Sequence, residues 1–525
     1  MKKFKWFTLL STLVLGFSIF SSTLQVSAAE FSVSSLYPQP VGTIDPAKAV
    51  DYTEMAAAVN LYDPLFYPEG GGSITPMPHL ASDYEVSEDG TVYTINLRND
   101  VTFHSGNPLT ANDVVYSLER MLAIGQGNSW LWEGLFEENG YVATNDHTVE
   151  FTLTRPFAPF IASLTQLFIV DSQLVQANEQ DGDYGQAFLN SNDAGSGPYT
   201  LGVWNRESDF NLDWFEDYFL GWEENSVQHA TILNVGEEAT AKSLLISGQV
   251  DHVHGNMNPT AYVEFAQQDN LTVYDAPSAT LFEAVMNTQA APTDDINVRK
   301  AIAHAVDYTI VQQQILGNSD AARGPVPISL ESNSETATVY DYDLEKAQAY
   351  MDQSAYAGQE VTVTMMYMAD QTDQRQLSQL FTQNLAQIGI TVELIPTTWP
   401  PFTEAMTSPE TTANISVLLD SLAYPHVDSH TFGKYHPSAH GSYRSAAWLD
   451  DADVTAKLEE ARMAIDFEEQ DTLYKEAQDM ITELSPSLYL GNLTEKVAHS
   501  NRITQYEPSM LLGYTLAFYH MRVAD

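Results

Sequence analysis

Hydrophobic positions along this chain change period repeatedly, and each change predicts an element. Val361, Val363 and Met365 alternate with Thr362, Thr364 and Met366, the period of two that a strand shows. Leu377, Leu380, Phe381, Leu385 and Ile388 then recur at spacings of three and four, which gathers them on one helical face. Gly389 stands where a helix end favours a residue free to take positive φ, and Ile390 to Ile395 reads as a second strand. Strand, helix and strand in this length form a βαβ unit, so the pattern predicts parallel pairing through a right-handed crossover.

The same reading extends along the chain. Thr91 to Leu97 is a strand, and Ser105-Gly106-Asn107-Pro108 is a turn. Thr110 with Asp113 has the spacing of a capping box and opens a helix through Leu122. Val298, Ile302, Ala305 and Val306 mark another helix. Val454, Leu458 and Ala461 begin a further one, and Leu473, Ala477, Met480, Ile481 and Leu484 carry the helical pattern on to Pro486, before a return strand at Leu488 to Leu490. The class is α/β.

The first residues follow a different rule. Lys2, Lys3 and Lys5 precede the apolar run Trp6 to Phe20, and Val26-Ser27-Ala28 supplies a small-residue exit. That order is a secretory signal peptide over 1–28, with cleavage after Ala28. No later run approaches the ~20 apolar residues of a membrane span. The expected location is therefore secreted, in a periplasm or on the outer face of the envelope. The 525 residues contain no cysteine, so disulfides and a Cys-linked lipid anchor are both excluded, and the core alone must hold the fold.

The formal net charge of −48, from 22 Lys+Arg against 70 Asp+Glu, argues against nucleic acid or an anionic lipid surface as partner. Such acidity suits salty or alkaline surroundings, or else a cationic ligand. The length corresponds to about three domains, and no repeat or long linker separates them.

Several motifs in order resemble one family across nearly the whole chain: Ile44-Asp45-Pro46, Asn60 to Leu65, Leu80-Ala81-Ser82, Val86 to Gly90, Val101 to Gly106, Leu109 to Val114, Gly195 to Tyr199, Ser247 to Asp251 and Val298 to Asp307. They are similar to extracellular solute-binding protein family 5, the peptide- and nickel-type binding proteins of ABC importers. The resemblance implies a two-lobed periplasmic-binding-protein-like fold (type II) with an extra subdomain inserted in the first lobe. The implied division is 29–73, 195–281 and 487–525 for lobe I, 74–194 for the extra subdomain and 282–486 for lobe II. It further implies a monomer without a cofactor that closes on a small solute and delivers it to a membrane permease. The solute would be a peptide, a peptide-like molecule or a sugar. Within the motifs, His104 and Asp113 read as local architecture.

The resemblance places the solute among the N-terminal segment, the edge of the subdomain and the loops of lobe II. The residues expected there are Tyr52, Trp130, Trp132, Trp399, Asp420, Tyr424, His426, Asp428 and His430. Aromatic rings supply large rigid contact area with few rotatable bonds. In peptide-binding relatives an Asp immediately before the Tyr holds the peptide's ammonium, and here Ala423 occupies that place, leaving Asp420 or Asp428 as substitutes. His426, His430, His436 and His440 lie close together among only 13 His, and with Asp428 they raise an alternative reading as a site for nickel, zinc or a metal chelate. Asp251-His252-Val253-His254 is a weaker echo that reads as a strand end. No Gly-x-Ser-x-Gly elbow, His-Glu-x-x-His, phosphate loop or cysteine nucleophile occurs, so the chain is not expected to be an enzyme.

Overall fold

The computed structural model describes residues 32–70, 72–253, 257–317, 319–511 and 513–524. Residues 1–28, read from sequence as a signal peptide, and His254 lie outside these. A ten-stranded mixed sheet runs through the molecule in the order Ile390–Thr397, Val361–Met368, Ile415–Asp420, Leu271–Met286, Ser487–Ser500, His252–Val253, Ser32–Tyr37, His229–Asn234, Asp209–Trp214 and Tyr199–Asn205. The βαβ unit is present. Val361 to Met368 pairs in parallel with Ile390 to Thr397, the helix Thr372–Ala386 crosses between them, and Gly389 takes φ +77°.

Two strands belong to both ends of this sheet. Leu271 to Ala276 pairs with Glu495 to Ser500, and Thr280 to Val285 pairs with Ser487 to Leu493. The register shifts between Ala276 and Thr280, where Pro277 has no N–H to donate to the ladder. Ile415–Asp420 joins only the Leu281 to Met286 half, whereas His252–Val253 joins only Ala498 and His499. The pair therefore forms the crossover between two lobes. The return strand expected at Leu488 to Leu490 is in fact 14 residues long, because it has to reach the second lobe's neighbour.

Each lobe packs on both faces of its half-sheet. In lobe I, Val33 and Tyr37 face the helix Tyr52–Leu61, while Leu36 faces the helices Glu238–Ile246 and Pro259–Phe265. In lobe II, Val361, Val363 and Met365 face Ile296–Ala305 and Thr372–Ala386, and Met366 and Met368 face Trp399–Ala405 and the C-terminal helices. Those C-terminal helices are two, Ala452–Met463 and Phe467–Leu484. Asp466 interrupts the pattern by capping the second, accepting from Glu469 N–H at 3.0 Å. The second helix ends at Ser485 in the left-handed region, as Pro486 disfavours further helix.

An insertion has its own core. Its antiparallel sheet runs Ala81–Val86, Val92–Leu97, Thr148–Leu153, Phe136–Asn145. The helix Ala111–Ile124 covers it with Val114, Leu118 and Met121, against Phe103, Trp132, Phe151 and Phe160. The capping box forms as read: Asp113 Oδ2 accepts from the Thr110 N–H at 2.8 Å and from its hydroxyl at 2.9 Å. Gly195 meets a different requirement. A Cβ there would lie 1.8 Å from the carbonyl oxygen of Leu61, so only glycine permits this approach. His104 fastens the same corner through Asp193 at 2.6 Å and the Gly197 carbonyl at 2.9 Å.

Candidate functional site

Two cavities of about 370 Å³ each lie between the lobes, bounded by opposite packing layers. One sits beneath Pro259, Leu316 and Thr372 and touches the crossover strands at Asp275, Leu493 and Lys496; Glu238, Asp320, Asp370 and Asp373 make its wall acidic. The other is closed by three bodies at once. Lobe I contributes Val50 and Met55, the insertion contributes Gly125 to Trp130, Glu133 and Gln166, and lobe II contributes Ala423, Gly433 and Ser438 to Arg444. The second is the candidate solute cleft, since only it joins all three parts and combines aromatic rings with polar groups.

Trp130 and His440 are on its lining. Trp130 is half-buried, meets the Tyr424 ring edge-on at 6.2 Å and leans over Gly433. Trp399 lies one layer back, stacked on Phe402 at 5.9 Å and against Tyr443 at 5.0 Å, and Tyr443 is the ring that reaches the cleft. Tyr52 starts its helix beside the Asp51–Glu54 capping box, packs on Tyr37 at 5.2 Å and hydrogen-bonds Thr515. Trp132 is fully enclosed, and its Nε1 donates to Ser163 Oγ at 3.0 Å.

The remaining expected residues are gathered, but beneath the cleft wall rather than on it. Asp428 is fully enclosed, pairs with Arg462 at 2.6 Å and accepts from Tyr474 at 2.7 Å and from Tyr424. Burial by itself raises a carboxyl pKa, but the Arg462 guanidinium outweighs it and holds Asp428 below the ordinary value. Asp420 faces two cations, Arg444 at 3.0 Å and Lys434 at 3.1 Å, and hydrogen-bonds the neutral His430 through Nδ1 at 2.6 Å. There too burial is overcome, by Lys434, Arg444 and His430 in that order, and the carboxyl is driven far down. Lys434 also pairs with the enclosed Glu283. Neither aspartate reaches the cleft lining to stand in for a carboxylate at Ala423.

The four imidazoles do not converge. His426 faces Gln470 at 3.3 Å, and His430 is committed to Asp420. His436 stacks on Phe432 at 3.8 Å and bonds Ser438, and His440 faces the Leu449 carbonyl at 3.1 Å. Among the described residues no group of three or more His, Cys, Asp or Glu is placed to hold a metal ion, which corrects the metal reading of this run. Burial lowers the pKa of each of the four, so each is held in its neutral form. His252–Val253 is the short strand that the echo motif suggested.

Sequence reasoning passed over Arg444, Tyr443 and the polar edge of Asn128 and Gln166. None sits in a periodic run. Arg444 had one available signal: with 22 Lys+Arg against 70 acids, a basic residue flanked by Gly441 and Ser445-Ala446-Ala447 is unusual in this chain.

The profile of bacterial extracellular solute-binding proteins, family 5 Middle, matches residues 75–440. The chain belongs to this family. Similar members include a probable D,D-dipeptide-binding periplasmic protein of Escherichia coli (strain K12), 29% identical over 359 residues and 67% of each chain. The dipeptide-binding protein of the same organism is 25% identical over 511 residues, covering 92% of this chain and 93% of its own. A periplasmic binding protein from Helicobacter pylori, solved with the peptide STSA, superposes with a TM-score of 0.84 at 22% identity, over 94% and 98% of the two chains. One from Campylobacter jejuni, solved with Ni(L-His), gives 0.82 at 19%, over 94% and 100%. These likenesses show the type II fold, with its two lobes and inserted subdomain. As a family 5 solute-binding protein, the chain has a binding role in transport. Among its described residues no helix is long and apolar enough to cross a membrane.

Proposed function

We propose that this family 5 protein captures a short peptide or peptide-like solute in the three-body cleft, outside the cytoplasm, and presents it as a closed monomer to the permease of an ABC importer. The supporting observation is the cleft's composition from lobe I, insertion and lobe II. A solute there touches all three only when the lobes close, so its binding energy favours the closed state by the difference in affinity between the two states. The crossover strands, with their register break at Ala276 to Thr280, supply the flexing point. The peptide class is supported by relatives named for dipeptides. The division at 29–73, 74–194, 195–281, 282–486 and 487–525 belongs to the same proposal. No reaction is assigned to the cleft.

The test is small-angle scattering of the protein stripped of solute, before and after addition of a mixed dipeptide library. Compaction together with a raised melting temperature is expected, since a ligand at 100 times its Kd adds about 2.7 kcal/mol. An unchanged profile with no thermal shift defeats the reading.

A further inference from the structure

We propose that the exposed seam between lobe II and the insertion, centred on Ile465 and Phe467, is where the closed protein docks on the extracytoplasmic loops of its permease, and that those loops offer apolar side chains set among basic ones. This rests on the transport role proposed above and names the surface that serves it.

Exposed apolar residues scattered singly are ordinary, but several together mark an interaction site. Met463, Ile465 and Phe467 are 42%, 57% and 66% exposed, and they fall within five residues around the linker between the two C-terminal helices. Among the described residues no other phenylalanine or tryptophan is exposed. Across the seam Ile465 reaches the insertion. A Cβ on Gly90 would lie 3.1 Å from its Cδ1, with Pro156 beside them. Val86, also exposed, ends the strand that leads into the turn closed by the Gly90 N–H on the Ser87 carbonyl at 2.9 Å. The patch therefore spans two bodies that meet in the closed state. Parting the lobes would lift Ile465 off Gly90 and divide it, so a permease that contacts both halves favours the closed form by that difference in contact.

Charge narrows the partner. Segments 86–90, 154–158 and 463–469 expose Glu88, Asp89, Asp466, Glu468 and Glu469 against one base, Arg155. Among the described residues none of the five acids has an ion-pair partner. A second copy of this chain would set acid against acid, and an anionic bilayer would be repelled as well. A protein surface with apolar residues in a basic setting fits both the rings and the charge.

The test is binding of the full protein, loaded from a mixed dipeptide library, to its cognate permease in phosphatidylcholine nanodiscs. Phe467→Ser on lobe II and Glu88→Lys on the insertion should each weaken binding about 10-fold. Val203→Ser, at a lobe I strand position equally exposed at 66%, should leave it unchanged. All three are surface changes and should keep the melting temperature and the dipeptide-induced compaction of wild type. Undiminished binding by the Phe467→Ser, Glu88→Lys double variant overturns the proposal, and so does an equal loss in Val203→Ser. Loss of compaction in Phe467→Ser or Glu88→Lys overturns it too, because the seam would then serve closure rather than docking. A wild-type dimer in scattering that Phe467→Ser dissolves assigns the patch to a second copy instead. Failure of loaded wild type to bind the permease defeats the transport reading, and this inference with it.

Discussion

Ala158 of the insertion donates its backbone N–H to the carbonyl oxygen of Arg462 in lobe II across 2.8 Å. The same arginine lies over the Phe432 ring at 3.1 Å, faces Phe157 at 5.0 Å and pairs with the enclosed Asp428. One side chain thus anchors a lobe II ion pair and meets the core of the insertion at Phe157.

Asp428→Asn leaves that guanidinium without its counter-charge, and should destabilise the protein by about 3–5 kcal/mol. The measurement is a urea midpoint at pH 7. Because Arg462 holds the Asp428 pKa below the ordinary carboxylate value, the pair's contribution is complete above that value and disappears as pH falls through the folded pKa. The difference between wild type and variant should therefore shrink toward acid.

Glu495 carries the opposite sign. It lies on the crossover strand opposite Ala276, and burial raises its pKa to about 7. Burial first, and the Glu495 charge second, also raise the pKa of Tyr52. Between the ordinary carboxylate value and about 7 the folded state binds a proton that the unfolded state does not, so this group's contribution to stability declines as pH climbs through that window. Glu495→Gln should gain melting temperature over wild type at pH 8 and lose that gain near pH 4. A difference independent of pH would refute the assignment.

Adjacent tryptophans should respond differently. Trp130→Ala removes a ring from the cleft wall and should weaken solute binding about 10-fold, with little change in melting temperature. Trp132→Ala empties a fully buried site and should cost about 3–5 kcal/mol of stability. Calorimetry and thermal melts on the two variants read both effects.

Nickel or zinc should not stabilise the protein through the His426 to His440 run, because each imidazole already has a separate partner. A melting temperature unchanged to within about 1 °C at excess metal is expected. Stabilisation that vanishes in His430→Ala would contradict the geometry.

Periodicity made the βαβ unit at Val361 legible, because a half-buried strand and an amphipathic helix both write their faces into the order of residues. The capping box at Thr110 was legible for a similar reason, since it depends on two side chains three positions apart. Asp428 and His430 illustrate the limit. Polar residues in a loop carry the same letters whether they face a solute or a buried partner, and Arg462, which decides the matter for Asp428, lies 34 residues away. Trp399 falls near the cleft but behind Tyr443, a distinction of one packing layer that has no sequence period, and Tyr52 turns to Tyr37 and Thr515 instead. The break at Asp466 was missed because no glycine or proline marks it between Ala461 and Leu473.

The two crossover strands run between cavities of equal volume on opposite faces of the molecule. A plank over a fulcrum behaves in the same way: what descends on one side rises on the other. A rotation about these strands that narrows the cavity at Trp130 and Tyr443 widens the acidic one behind it.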